Sequence, residues 1–158
     1  MGMDVYDEND RAARHSGKFD EGNIHDGTDV LGYRVSGTSR QPSSAATAAF
    51  LRKCDELVVQ AKKEMRLAVS GQSSSHALRY HQAMVMLHKT VRGWSQAFRH
   101  TTATHVFTNI DAEIDRRIHE LRKFAYAVTQ GATGEVRRRV MGVHVLSDTA
   151  TFPLPRIQ

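Results

Sequence analysis

Between Leu87 and Leu121 two apolar stripes follow one another at helical spacing, and this constrains the chain more than any other feature. The first runs Tyr80, Met84, Leu87, Val91, Trp94, Phe98, alternating steps of four and three. The second runs Phe107, Ile110, Ile114, Ile118, Leu121. Such steps place side chains on one face of an α-helix. The polar stretch Thr101 to Thr104 separates the stripes, so the pattern predicts two amphipathic helices meeting at a short corner.

A third stripe precedes them. Phe50, Cys54, Leu57, Ala61, Met65 and Ala68 line one face of Ala45 to Val69, with Arg52, Lys53, Lys62, Lys63 and Arg66 largely off it. Pro42 fixes the backbone ahead of this helix, and Ser43 or Ser44 supplies an N-cap. Gly71 ends it, and Ser73 to Ser75 form a polar turn suited to cap the next helix, expected over about His76 to His100. The third helix is expected over about His105 to Gln130, closed by Gly131, with the basic segment Gly134 to Val140 as one more short helix. Upstream, Thr28 to Gly37 has the β-branched and aromatic content of a strand bounded by glycines. A lone strand leaves its backbone unpaired, so a hairpin partner is required, either Phe19 to Ile24 or the extended segment near Arg40.

The fold class that follows is mainly α. An antiparallel three-helix bundle covers the three stripes, preceded by a short β-hairpin, with flexible termini. Residues 1–17 read as an acidic tail, 18–41 as the hairpin region, 42–142 as the helical domain and 143–158 as an extended tail. The 158 residues have room for one ordinary domain.

Charge is divided unevenly. Residues 1–28 hold seven acids against three bases, a net −4 in a chain whose total is +5, so the remainder carries +9. A field of that sign favours a polyanion, because neutralising phosphates releases condensed counterions. The single cysteine, Cys54, excludes an internal disulfide and a multi-cysteine zinc site. No apolar run approaches the ~20 residues needed to span a bilayer, and no secretory signal pattern opens the chain, so a cytoplasmic protein without a membrane partner is expected.

Two sets of residues resemble a known family. Val91-Arg92-Gly93-Trp94 followed by Phe98-Arg99, then Phe107 and Ile110-Asp111, resembles the maturase-specific (thumb, or X) domain of group II intron reverse transcriptases. Gln96-Ala97-Phe98 stands where that pattern has an aromatic pair. Phe19-Asp20-Glu21-Gly22, then Val30-Leu31-Gly32-Tyr33-Arg34-Val35, then Arg40-Gln41-Pro42-Ser43, is similar to the end of the palm in bacterial reverse transcriptases. Both sets occur in the family's order and together span Phe19 to Leu121. The resemblance implies a thumb-like bundle behind a primer-grip-like hairpin at Leu31, Gly32 and Tyr33, with Gly93, Trp94, Phe98 and Phe107 as its structural motif. It also implies partners: structured RNA or an RNA–DNA hybrid, and a separate reverse transcriptase palm.

The residues themselves supply candidates for such contact. Arg92 and Arg99 lie seven apart, two helical turns, and share a face beside the tryptophan stripe. His88, Lys89, Arg116, Arg117, Arg122 and Lys123 extend the basic surface. Arginine suits phosphate because its planar fork donates two bonds at once and also stacks on bases. The narrow major groove of an A-form duplex leaves little sequence to read, so weak base specificity is expected. Trp94 is expected as buried packing, and Gly93, which costs a helix about 1 kcal/mol relative to alanine, as a point where another helix comes close.

Catalysis is not expected from this chain alone. A reverse transcriptase holds paired carboxylates around two magnesium ions, and no Asp-Asp pair occurs anywhere. Asp111, Glu113 and Asp115 sit near the start of the third helix, where its dipole favours acids. His81 and His88 lack partners at ligand spacing, so neither metal nor cofactor is expected. The alternative to RNA binding is a helical interaction bundle that completes a polymerase palm supplied in trans.

Overall fold

A computed structural model describes residues 27–72 and 77–148. It is mainly helical: a three-stranded antiparallel sheet, β1 (Thr28–Val30), β2 (Tyr33–Ser36) and β3 (Ser39–Pro42), leads into four helices. These are α1 (Ser44–Val69), α2 (Tyr80–Ala97), α3 (Thr104–Thr129) and the short α4 (Gly134–Met141), followed by a 3-10 turn at Leu146–Asp148. The expected acidic tail, the Phe19 to Ile24 strand, the Ser73 to Ser75 turn and residues 149–158 lie outside the described residues.

The single strand expected over Thr28 to Gly37 is in fact two. Val30 pairs with Tyr33, so Leu31 and Gly32 form a two-residue turn, both with positive φ (50° and 82°). That is the twist a tight hairpin needs, and glycine supplies it freely while leucine does not. The segment near Arg40 is the second partner, with Val35 opposite Arg40 and Tyr33 opposite Pro42.

Of the two serines expected to cap α1 it is Ser43 that does so, its hydroxyl accepting from the Ala46 amide at 3.2 Å. α2 begins at Tyr80, where its apolar stripe starts and later than the expected His76, with no side-chain cap, and stops at Ala97, short of the expected His100. α4 ends on Gly142 at φ 82°, where a Cβ would meet the Gln82 amide.

The first three helices run up, down and up. At one end Phe50, Cys54, Leu87, Ile110 and Ile114 form a core with Trp94 and Val91 against it. At the other, Val58, Ala61, Met65, Ala83, Leu121 and Val140 form a second core. Val140 brings α4 across that end and closes it. On α1 the buried series includes Val58 where the stripe had Leu57, which is half-buried.

The sheet is tied to the bundle through main-chain atoms. The Ser43 amide donates to Gly32 O at 2.7 Å, and the Thr102 amide to Arg40 O at 2.8 Å. The Arg40 amide donates to Thr102 Oγ1 at 2.9 Å. The corner between α2 and α3 is therefore held by β3, which gives the polar Thr101 to Thr104 stretch its job.

Candidate nucleic-acid interface

Trp94 is the hub that the motif residues share. Its ring stacks on Phe50 with centroids 4.6 Å apart, meets Phe98 at 4.6 Å and Phe107 edge-on at 5.9 Å. Phe98 in turn meets Tyr33 at 4.9 Å, and the Tyr33 hydroxyl donates to Ala97 O at 2.9 Å. Aromatic pairs at these separations add about 0.5–1.5 kcal/mol each beyond simple burial. Gly32, Tyr33, Trp94, Phe98 and Phe107 thus converge on one aromatic cluster, while Leu31 points outward and is 95% exposed.

Gly93 departs from expectation. Beyond its chain neighbours and its own helix backbone, nothing lies within 4 Å of where its Cβ would be, so no other helix presses on it. It lines instead an open cleft of about 640 Å³ between the first half of α1 and the last half of α2. Ala46 and Ala49 line the α1 side, Phe50, Trp94 and Phe98 make an aromatic floor, and the exposed Lys53 and Lys89 stand on α1 and α2 to either side, with no acid in the lining. The smallness of Ala46, Ala49 and Gly93 is what leaves the space. A second, smaller cleft of about 230 Å³ between α2 and α3 carries Asp111 in its lining and suits an anion less well.

The basic residues expected to form one surface are divided by the fold. A helix turns about 100° per residue. Lys89, four before Gly93, lies along the cleft, whereas His88 and Arg92 turn toward the outer crest of α2; all three are exposed. Arg99 follows the end of α2, exposed, with its Nε donating to His100 Nε2 at 3.1 Å. Arg122 and Lys123 are exposed on α3 and do not line the cleft; Arg122 Nη2 is 3.3 Å from His119 Nδ1.

Arg117 is a correction. It is only 5% exposed and its guanidinium is already occupied. Nε and Nη2 donate to the two Asp55 carboxylate oxygens at 2.7 and 2.9 Å, and Nη1 donates to Glu113 O and Oε2, each at 2.8 Å. These bonds to acids hold the Arg117 pKa above its ordinary value. Its neighbour Arg116 is exposed but bridges Glu113 at 3.0 Å and Glu120 at 3.2 Å, and Glu120 reaches Lys62 at 3.1 Å. The result is an unbroken line of alternating charge along the α1–α3 seam. Hydrogen bonds from Arg116 and Arg117 hold Glu113 below the usual carboxylate range, and one from Lys62 does the same for Glu120.

Asp55, Lys53 and the small residues of α1 are the participants that sequence reasoning did not single out. The spacing of Glu113, Arg116, Arg117 and Glu120 announced ion pairs along α3. Nothing in the spacing announced that Arg117 would turn inward to a carboxylate 62 residues earlier.

Cys54 is fully buried in the core, and burial pushes its thiol pKa up. It packs as a small apolar side chain rather than serving as a nucleophile. Among the described residues no group of three or more His, Cys, Asp or Glu side chains is placed to hold a metal ion, and no helix is long and apolar enough to cross a membrane. No protein-family model, curated protein or solved structure matches the chain.

Proposed function

We propose that this chain is a maturase-type thumb module of a group II intron reverse transcriptase-like protein. It holds structured RNA or an RNA–DNA hybrid by the phosphate backbone and leaves bond-making chemistry to a palm elsewhere. The observation that carries the reading is the cleft. Lys53 and Lys89 flank an aromatic floor in which no acid competes, while Glu113 and Glu120 are engaged with other cations at the α1–α3 seam. Arg92 on the outer crest of α2 and Arg99 just beyond its end are exposed and add further positive charge. A cytoplasmic setting goes with this reading, since the one cysteine is a buried free thiol.

A titration of the purified chain against structured RNA, RNA–DNA hybrid and duplex DNA tests it. If about four phosphates are neutralised, affinity falls roughly 100-fold between 50 and 200 mM salt. The pair Lys53→Ala with Lys89→Ala is expected to weaken binding about tenfold or more at low salt and to flatten the salt slope; Arg92→Ala with Arg99→Ala acts in the same direction. Affinity indifferent to salt and to all four residues would sink the proposal.

Gly93→Ala separates packing from ligand access. The added methyl meets no neighbour, so it is expected to stabilise α2 by about 0.5–1 kcal/mol. It should at the same time weaken RNA binding, because it narrows the cleft that Gly93 lines. A loss of stability on urea melting would show that the backbone at Gly93 is held for another reason.

One observation favours the second reading, docking onto a palm in trans. Val30 and Leu31 are 50% and 95% exposed at the tip of an edge hairpin, apolar side chains left largely uncovered by the described residues. That reading predicts association with a palm subunit that barely changes with salt and is lost in Leu31→Asp.

A further inference from the structure

The α1–α2 cleft combines an apolar aromatic floor with a lysine on each rim. Its chemistry fits a short anionic segment carrying one or two apolar side chains. The chain contains such a segment: Met3-Asp4-Val5-Tyr6-Asp7-Glu8-Asn9-Asp10 holds four acids and no base. We propose that residues 4–10 dock in the cleft of the same molecule, their carboxylates pairing with Lys53 and Lys89 while Val5 and Tyr6 cover the aromatic floor.

Connectivity permits this. The described chain begins at Gly27, one residue before β1, and the Leu31-Gly32 turn lies beside the cleft. A Cβ on Gly32 would sit 3.5 Å from the Phe98 ring and 3.9 Å from Ala46, both cleft residues. Sixteen residues separate Asp10 from Gly27, and a chain of that length can span up to about 50 Å. Tethering replaces bulk concentration by a local one of order mM. A contact with a Kd of ~1 mM, negligible between separate molecules, is then about half formed within one.

The docking stands on the cleft and the acidic segment alone; only its consequence for RNA affinity rests on the function proposed above. If both hold, the segment competes with phosphate for the same two lysines and lowers apparent affinity without blocking it. A strong polyanion displaces it, and free carboxylates or a weak anion do not.

Zero-length carbodiimide coupling on the dilute full-length chain at low salt reads the contact directly. Amide links from Asp4, Asp7, Glu8 or Asp10 to Lys53 or Lys89 are expected in the monomer band, several-fold above links to the exposed Lys63 and Lys123. They should vanish in ~0.5 M salt, where the screening length falls to a few ångströms, and in full-length chain carrying D4N, D7N, E8Q and D10N. The same variant should raise acrylamide quenching of Trp94, the only tryptophan, and tighten RNA binding about twofold. Links spread evenly over all lysines, or found only in a dimer band, overturn the proposal. Links at Lys53 and Lys89 in a protein that ignores RNA would keep the docking and remove the RNA reading. Salt-dependent RNA binding with no such links would do the reverse.

Discussion

Arg117→Ala is expected to lower unfolding free energy by about 2–4 kcal/mol while leaving the proposed RNA binding of the folded fraction unchanged. Removing one partner of a buried ion pair typically costs 3–5 kcal/mol, mostly because the other charge is stranded. Here Asp55 and Glu113 are about half exposed, with side-chain exposures of 52% and 45%, so they rehydrate and the loss falls toward the lower end. What remains is the lost packing of a 5%-exposed side chain. Arg117→Met keeps most of that volume and should recover at least half the difference. Asp55→Ala instead leaves the buried guanidinium with Glu113 alone and should destabilise despite its exposed position. Urea melts of the three variants, alongside an RNA titration, check the ordering. An Arg117→Ala protein of normal stability that lacks the RNA binding seen for the parent chain would return this residue to the proposed interface.

The same seam sets the acid limit. Glu113 and Glu120 have folded pKa values below their ordinary 4.5. Their contribution to stability is therefore complete above about pH 4.5 and is lost as pH falls from there through the folded values. Both are exposed, so added salt should shrink the effect.

Leu121→Ala carries the other large expected effect. Leu121 is 1% exposed and sits where α3 meets Met65 and Ala61 of α1 and Val140 of α4. Truncation removes transfer energy and leaves a cavity walled by three helices that cannot all close in, for a loss of about 2–5 kcal/mol. In a chain of this size that lowers Tm by roughly 5–15 °C. Val59→Ala, at a 66%-exposed position of α1, should change stability by less than ~0.5 kcal/mol. Similar losses from both variants would mean that the core is placed wrongly.

The three long helices were readable because burial on one face repeats every three or four residues and nothing in the loops disturbs it. Ser43-Ser44 announced the start of α1 by their chemistry, and Gly131 announced the turn after α3, whereas the stop of α4 at Gly142 came only from the structure. The strand region was harder. Leu31 is a poor residue for positive φ, so the tight turn that splits the expected strand left only Gly32 as its signal. The cleft was harder still, because Gly93 looks the same in a sequence whether a helix presses on it or open space lies above it.

From sequence alone came the helix count, the buried stripes, the excess of positive charge after residue 28 and the lack of an Asp-Asp pair, each a property of composition or local spacing. Tertiary structure decided which cations remain available. Arg117 and Lys89 both read as basic residues beside an apolar stripe, yet one is turned onto Asp55 of α1 and the other onto an open cleft. That difference depends on the packing of helices far apart in the chain, where a guanidinium leaves water only if a carboxylate happens to wait for it. Local spacing holds no record of such a partner.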